Sequence, residues 1–193
     1  MAKSSREKAK QKVRYANAKE VAAKESQGFE MSTINLPKGM DLFSFRKEGQ
    51  YKIDIIPYIV GKGNPQCLEE GLAFYKRRYY VHKNVGVNNK WAVCPARTFD
   101  KTRCPVCEDV SAKLREGLDK ELINPLRDKI RELYLVIDHD DKAKGVQLYE
   151  GPFSNGLGEL LTTELEAMDE DDADRDFFCL EGDRTLKIFV KEE

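Results

Sequence analysis

The fold of this chain depends most on residues 77–107, which read RRYYVHKNVGVNNKWAVCPARTFDKTRCPVC. This stretch contains one histidine and three cysteines, namely His82, Cys94, Cys104 and Cys107. Eleven residues separate His82 from Cys94, nine separate Cys94 from Cys104, and two separate Cys104 from Cys107. Thiolates and an imidazole at such spacings are typical ligands of tetrahedral zinc. Because four protein ligands close the coordination shell, the sequence predicts a structural zinc ion rather than a catalytic one.

Other interpretations of these residues remain open at this point. Cys104 and Cys107 could form a redox dithiol, although a polar loop precedes them instead of the strand and turn of a thioredoxin-like site. A nucleobase deaminase would need a glutamate two residues after His82, where this chain has Asn84. His139, which lies in an acidic turn, is a rival fourth ligand, but its distance along the chain from the cysteines favours His82.

The composition fits one globular domain with an extension. The chain has 193 residues, of which 35% are charged. It contains no apolar run of about twenty residues and no signal-peptide pattern, so we expect a cytoplasmic protein, in the host cell cytoplasm if a phage encodes it. Five cysteines, an odd number, argue against a disulfide framework and leave Cys67 and Cys179 as predicted buried apolar residues.

The charge is distributed unevenly, although the net charge is only -1. Residues 1–27 contain eight lysines and arginines against three glutamates, whereas residues 164–176 contain eight acidic residues against one arginine. The first segment predicts a basic N-terminal arm, separate from a core of residues 28–193, that contacts nucleic acid or a neighbouring protomer. A merely solubilising basic tail is the alternative.

Aromatic and cationic residues interleave on both sides of the predicted metal ligands. A cationic groove follows the phosphates of a nucleic acid, while exposed rings stack on unpaired bases at about 1 to 3 kcal/mol each. The predicted phosphate contacts are Lys76, Arg77, Arg78, Lys83 and Lys90. The predicted stacking residues are Tyr75, Tyr79, Tyr80 and Trp91. For any one of these tyrosines, covering the edge of the core is the alternative role.

The remaining pattern predicts a mainly β protein with helices, of the α+β class. Alternation predicts strands at residues 51–56, 74–82, 131–137, 145–149 and 185–190, with a hairpin between the third and fourth. Helices are predicted at residues 108–116, ending at Gly117, and at residues 158–168. About five strands interrupted by a helix suggest a small OB-fold-like barrel, in which residues from about 76 to 118 form an inserted zinc subdomain.

From Arg77 to Val190 the chain resembles the T-even phage single-stranded DNA-binding protein family, the helix-destabilising proteins of phage replication. The resemblance is carried by the four predicted ligands and by the sequences Leu135-Val136-Ile137, Gly145-Val146-Gln147-Leu148-Tyr149 and Leu186-Lys187-Ile188. It implies an OB-fold core, a structural zinc subdomain and binding of single strands without sequence preference. It also implies a basic arm that contacts neighbours on the strand, and an acidic tail that recruits replication proteins.

We therefore expect a non-enzymatic protein that binds single-stranded DNA in phage replication, recombination and repair. Its expected partners are single-stranded DNA, replication proteins and further copies of itself, contacted through residues 1–27; no membrane partner is expected. The alternative function is a zinc-stabilised protein-protein adaptor in replication or transcription that binds through the acidic segment. The chain ends just after the last predicted strand, so it either lacks an acidic tail or is a fragment.

Overall fold

A computed structural model describes residues 34–45, 47–62, 64, 66, 68–99, 103–180 and 184–191. The predicted basic arm, residues 1–27, and Cys67 lie outside the described residues.

The described elements are mostly strands. The strands are β1 (Leu42–Phe43), β2 (Gly49–Ile56), β3 (Tyr58–Ile59), β4 (Ala73–Phe74), β5 (Arg77–Val85), β6 (Lys90–Val93), β7 (Lys129–Asp138), β8 (Val146–Pro152) and β9 (Leu186–Val190). The α-helices are α1 (Pro95–Thr98), α2 (Pro105–Arg115), α3 (Lys120–Ile123) and α4 (Leu157–Ala167). Short 3-10 turns occupy Asn124–Leu126, Lys142–Lys144 and Ala173–Asp176. The protein is thus of the mixed α+β class.

A seven-stranded sheet is built around the long strand β7. Strands β1, β8, β7, β2 and β9 lie side by side in that order, and β3 and β4 form a separate small sheet. One edge of β7 pairs with β8, whereas its other edge pairs first with β5, through Lys129–Leu133, and then with β2, through Leu135–Asp138. Strand β6 pairs with β5. The sheet is open among the described residues, with β1, β6 and β9 at its edges, so the predicted α+β class is confirmed but the expected OB-fold-like barrel is not.

Most elements predicted from local pattern are confirmed. Strands β2, β7, β8 and β9 and helices α2 and α4 fall where alternation and helical periodicity predict them. Helix α2 ends just before Gly117, whose φ of +79° is a conformation that glycine adopts without strain. The strand predicted at residues 74–82 is divided, because Tyr75 and Lys76 lie between β4 and β5.

Alternation along β7 gives the sheet two different faces. The even-numbered residues Tyr134 and Val136 are almost fully buried in a core that also contains Ile55, Tyr149 and Leu161 of α4. The odd-numbered residues of β7 therefore point to the opposite face. There, β5 and β7 pair Arg77 with Leu133, Tyr79 with Arg131, and Val81 with Lys129. Tyr79 and Val81 are buried there, and we call the accessible part of this side, which holds Arg77, Lys129 and Arg131, the basic face.

Within the part of the chain that the structure describes, no helix combines the length and the apolar character that crossing a membrane requires.

Candidate metal centre and nucleic-acid interface

Three elements bring the four predicted metal ligands to one point. His82 lies on β5, Cys94 follows β6 directly, and Cys104 and Cys107 lie at the start of α2. The antiparallel pairing of β5 with β6 places His82 opposite Ala92, only two residues before Cys94. The backbone N–H of Cys94 donates to the carbonyl of Tyr80 at 2.8 Å, which fixes the end of the hairpin. Residues that are distant in sequence therefore converge because the hairpin folds back on α2.

The ligand atoms are arranged as a compact cluster. Nε2 of His82 lies 3.4 Å from Sγ of Cys104 and 3.4 Å from Sγ of Cys107. Sγ of Cys94 lies 3.5 Å from Sγ of Cys107, and all four ligand atoms lie within 4.8 Å of one another. Bond lengths of about 2.3 Å to sulfur and 2.0 Å to nitrogen place the ligands of a tetrahedral ion roughly 3.5 to 3.8 Å apart. The cluster matches these separations, so it could hold a metal ion.

The surroundings of the cluster also suit a metal. His82, Cys94 and Cys104 are buried and Cys107 is half-buried, so little water reaches the ligand atoms. Nδ1 of His82 lies 3.0 Å from the carbonyl of Leu126, in the 3-10 turn that precedes β7. An N–H at Nδ1 donates to this carbonyl and leaves Nε2 with a free lone pair directed at the cysteines, as in many metal-binding histidines.

Burial and the neighbouring thiols affect the protonation of these cysteines. Burial, together with hydrogen bonds to Cys94 and Cys104, raises the pKa of Cys107 to about 12, and burial also raises the pKa of Cys94. Crowded thiols in a buried site thus keep their protons unless a cation is bound, because a metal binds the thiolate form. Metal binding at this cluster would therefore release protons from the thiols.

The alternative interpretations of the cysteines fit less well. The separation of 3.5 Å between Sγ of Cys94 and Sγ of Cys107 is far longer than the roughly 2.05 Å of a disulfide. A redox dithiol of Cys104 and Cys107 would need neither His82 nor Cys94, yet both converge on the same point. His139 is not the fourth ligand, since its Nε2 lies 2.7 Å from Oδ2 of Asp54 instead. Cys179 is half-buried and separate from the cluster.

Three of the nine predicted nucleic-acid contacts are buried. Tyr75, Lys76 and Tyr79 expose only 6%, 6% and 4% of their surface. The expectation that these residues are exposed for contact is wrong, and the alternative role in the core applies to both tyrosines. Burial, with the charge of nearby Glu132, raises the pKa of Tyr75 to about 12. These side chains are held inside the fold by apolar packing and by an internal ion pair.

That ion pair centres on Glu132, which is fully buried. Its Oε1 lies 3.0 Å from Nζ of Lys76 and 2.8 Å from a guanidinium nitrogen of Arg78, and the Tyr134 hydroxyl donates to its Oε2 at 2.6 Å. Burial alone would raise the pKa of Glu132, but the Tyr134 hydroxyl and the two cations outweigh burial and hold this pKa below its ordinary value. Lys76 and Arg78 therefore share one internal counter-charge, so Arg78 is partly neutralised within the protein.

The other five predicted contacts reach the surface but do not share one face. Arg77 and Lys90 are exposed, whereas Tyr80, Lys83 and Trp91 are half-buried. Because Ala92 lies opposite His82, its neighbour Trp91 points to the other side of the hairpin from His82 and Tyr80. The structure thus brings Arg77, Lys83 and Trp91 to the basic face and separates Tyr80 from them.

Trp91 is the aromatic centre of the basic face. Nζ of Lys83 lies 4.5 Å from the centre of the Trp91 ring, and the Arg131 guanidinium lies 5.1 Å from it. Glu150 orients Arg131, because its Oε1 accepts a hydrogen bond from Nε of Arg131 at 2.8 Å and another from the Tyr79 hydroxyl. Such cation–π pairs hold the ring and the cations together at the surface.

Two cations of the basic face were missed from the sequence. Arg131 and Lys129 both lie on β7, but the predicted strand begins at Arg131, so Lys129 falls outside it. Both residues have odd numbers, so alternation puts them on the same face of β7. Only the pairing of β7 with β5 shows that this face also carries Arg77. Lys129 is exposed and lies beside Val81.

Tyr80 lies in a different groove, on the side of the hairpin that faces α2. This groove has a volume of about 610 Å³ and is lined by Tyr80, His82, Arg97, Cys107 and Arg127, among others. The Arg97 guanidinium lies 4.5 Å from the centre of the Tyr80 ring and forms an ion pair with Asp128 at 3.7 Å. Arg97 is a further cation that sequence reasoning missed.

A comparison with known protein families and with characterised proteins finds no match to this chain.

Proposed function

We propose that this protein binds single-stranded DNA without sequence specificity and presents it to Trp91 on the basic face. One observation carries the proposal: the Trp91 ring lies within 5.1 Å of both Lys83 and Arg131, on the same face as exposed Arg77 and Lys129. An aromatic platform surrounded by cations supplies the two interactions that an unpaired, charged strand offers.

The same chemistry favours single strands over duplexes. Stacking on Trp91 requires a base whose face is free, and bases in a duplex already stack on each other. The cations would neutralise phosphates in either form, so they add affinity without selecting a sequence. Arg131 forms an ion pair with Glu150 at 2.8 Å, so its charge is already balanced, and the phosphate contacts of the basic face fall to Arg77, Lys83 and Lys129.

We further propose that the cluster of His82, Cys94, Cys104 and Cys107 holds zinc in a structural role. Three thiolates and one imidazole are a donor set that suits zinc better than magnesium or calcium, which prefer oxygen ligands. A bound zinc ion would join the end of the hairpin to the start of α2 and leave no coordination position open for a substrate. The ion would thereby fix the hairpin that carries Lys83 and Trp91.

The resemblance to the T-even phage single-stranded DNA-binding proteins supports a role in phage replication, recombination and repair, without enzymatic activity. An OB-type core belongs to the same proposal: a long strand, β7, that two other strands share along one edge suits a partly open barrel of this type. Replication proteins, and neighbouring copies contacted through residues 1–27, are the expected protein partners.

The proposal is tested by titrating the protein with labelled single-stranded DNA, the matching duplex and single-stranded RNA at several salt concentrations. Trp91 is the only tryptophan of the chain, so quenching of its fluorescence reports binding at this position. We expect tight, salt-sensitive binding of single strands and weak binding of the duplex. Replacing Trp91 with Leu should cost about 1 to 3 kcal/mol of binding free energy, measured by anisotropy of the labelled strand.

Charge variants distinguish cations that contact phosphates from exposed cations that do not. Each of Arg77→Ala and Lys83→Ala should reduce the slope of log K against log salt by about 0.7, whereas the exposed control Lys142→Ala should leave it unchanged. If all three variants had the same slope of log K against log salt, the basic face would not be the DNA-binding surface. If no nucleic acid changed the fluorescence of Trp91 or bound the protein, the result would favour the alternative function, a protein-protein adaptor that binds through the acidic segment.

A further inference from the structure

The hairpin of β5 and β6 carries an aromatic ring beside a cation on each of its two sides. On the basic face, Nζ of Lys83 lies 4.5 Å from the centre of the Trp91 ring. On the other side, the Arg97 guanidinium lies 4.5 Å from the centre of the Tyr80 ring, and both residues line the groove of about 610 Å³. Tyr80 is half-buried and Arg97 is exposed. The pairing of a ring with a cation, which suits an unpaired base and its phosphate, is thus repeated across the hairpin.

The charges around the hairpin select an anion. Residues 71–99, which include both strands of the hairpin, contain six lysines and arginines and no aspartate or glutamate. Arg97 and Arg127 line the groove together with one acidic residue, Asp128. Asp128 lies 3.7 Å from Arg97 and balances its charge. Arg127 is exposed and forms no ion pair with another described residue, so the groove keeps one positive charge.

The two sides of the hairpin meet at the outer edge of β6. Strand β6 pairs with β5, and no other described strand covers its second edge. Ala92 lies opposite His82, so alternation places Lys90 on the side of His82 and the groove, and Trp91 on the basic face. Lys90 is exposed. A polyanion that crosses this edge from Trp91 therefore meets a cation before it reaches the groove.

We propose that one DNA strand passes round the edge of β6, with one base stacked on Trp91 and a later base stacked on Tyr80. Phosphates between the two rings would contact Lys90, and a phosphate in the groove would contact Arg127. This inference rests on the proposed function, because it needs a single strand on the basic face. It adds a second stacking site, on the side of the hairpin where the metal ligands lie.

Substitutions in the groove test the second site. The probe is a labelled strand of about 12 thymidines, which falls within the usual range of site sizes, and anisotropy measures its binding. Tyr80→Leu should weaken binding about tenfold, equivalent to about 1.4 kcal/mol. Tyr80→Phe keeps the ring and should bind like the unchanged protein. Metal content and unfolding temperature would show whether each variant keeps its fold.

The exposed residue Arg127 provides a second test that does not disturb packing. Arg127→Ala should reduce the slope of log K against log salt by about 0.7, because one phosphate contact is lost. The matched control is Arg115→Ala on α2, since Arg115 is also exposed but does not line the groove. This control should leave both the affinity and the slope unchanged.

Photo-crosslinking tests whether the same strand reaches both rings. The probe is the same strand of about 12 nucleotides with iodouracil at two positions, and mass spectrometry identifies the attached residues. We expect single strands that are cross-linked to both Trp91 and Tyr80 of one protein molecule. Strands attached to one ring or the other, but never to both, would contradict the path round β6.

The variants distinguish this inference from the proposed function. If Trp91→Leu weakened binding while Tyr80→Leu and Arg127→Ala did not, the second site would be wrong and the proposed function would stand. If none of the three variants changed binding, both would be wrong. If only Tyr80→Leu and Arg127→Ala weakened binding, the groove would bind DNA without the basic face, and the path between the two rings would be wrong.

Discussion

The metal cluster and the aromatic core lie in one folded unit, but different interactions stabilise them. The ligand region, residues 77–115, gathers four donor atoms within 4.8 Å. Apart from the ligands, the large apolar side chains buried among its described residues are Tyr79, Val81 and Val110. The aromatic core instead packs rings against each other, with Tyr75 and Phe177 5.0 Å apart and Tyr134 and Tyr149 5.9 Å apart. Loss of an ion bound at the cluster should therefore affect one region far more than the other.

The difference follows from how much surface each region can bury. The described part of the ligand region consists of a two-stranded hairpin and two helices, and such a small unit rarely buries enough apolar area to be stable alone. A metal ion bound at the cluster would supply the missing free energy at one point. The aromatic core draws on β2, β7, β8 and α4, so its stability is spread over many contacts.

The largest expected effect comes from replacing Cys104 with Ser. Structural zinc sites have apparent binding free energies of about 10 to 16 kcal/mol, and much of this is folding free energy of the segment that holds the ion. We expect loss of bound metal and new protease cleavage between residues 77 and 118, while the aromatic core remains resistant. Metal analysis and limited proteolysis with mass spectrometry would measure both.

The matched control for this substitution is Cys179→Ser, since Cys179 lies outside the cluster. It should keep the metal and the original cleavage pattern. A Cys104→Ser protein with unchanged metal content and unchanged cleavage would contradict the metal assignment and the contrast between the two regions.

A smaller effect is expected from Glu132→Gln, at the junction of the two regions. Glu132 lies on β7, while its partner Arg78 lies on β5 of the ligand region. Removing the carboxylate leaves Lys76 buried without its counter-charge, which should lower the free energy of unfolding by about 3 kcal/mol. Urea denaturation would measure the loss.

The exposed residue Glu166 of α4 provides the control, since Glu166→Gln removes the same charge without uncovering a buried cation. Its effect should stay within about 0.5 kcal/mol. If both variants lost equal stability, the buried ion pair would have no special role in joining the regions.

The smallest predicted effect is on the stability of the protein at low pH. The folded pKa of Glu132 is lowered, so its ionised form stabilises the protein above the ordinary glutamate pKa of about 4.3. This contribution is lost as the pH falls through the lowered folded pKa. Unfolding measured at a series of pH values below about 5 should therefore show a steeper loss of stability in the unchanged protein than in Glu132→Gln. Parallel curves would contradict the assignment.

Much of the fold could be predicted from short stretches of sequence. Strands β2, β7, β8 and β9 show the alternation of apolar and polar residues that is typical of a strand. Helix α2 begins at Pro105 and ends before Gly117, which are typical residues at the two ends of a helix. These signals are local, because periodicity and end residues act over a few positions. The open sheet could not be predicted in this way, since closure depends on whether distant strands such as β1 and β9 meet.

The metal site was predictable in its ligands but not in its setting. His82 and the three cysteines are recognisable because few other side chains have their affinity for metal. The carbonyl of Leu126, which orients His82, leaves no mark in the sequence, because every residue has a carbonyl group. Arg131 was missed for a related reason. Its contacts with Trp91 and Glu150 are made by residues distant in the sequence, so a strand pattern does not reveal them.

By itself, the sequence determined the four ligands, the helix and strand periods and the uneven charge, because each depends on side-chain chemistry or on neighbours a few residues away. Only the tertiary structure decided which aromatic residues are buried. Alternation assigns Arg77 and Tyr79 to the same face, yet Tyr79 is 4% exposed while Arg77 is exposed. Burial depends on which distant elements cover a position, and that is decided when the whole chain packs.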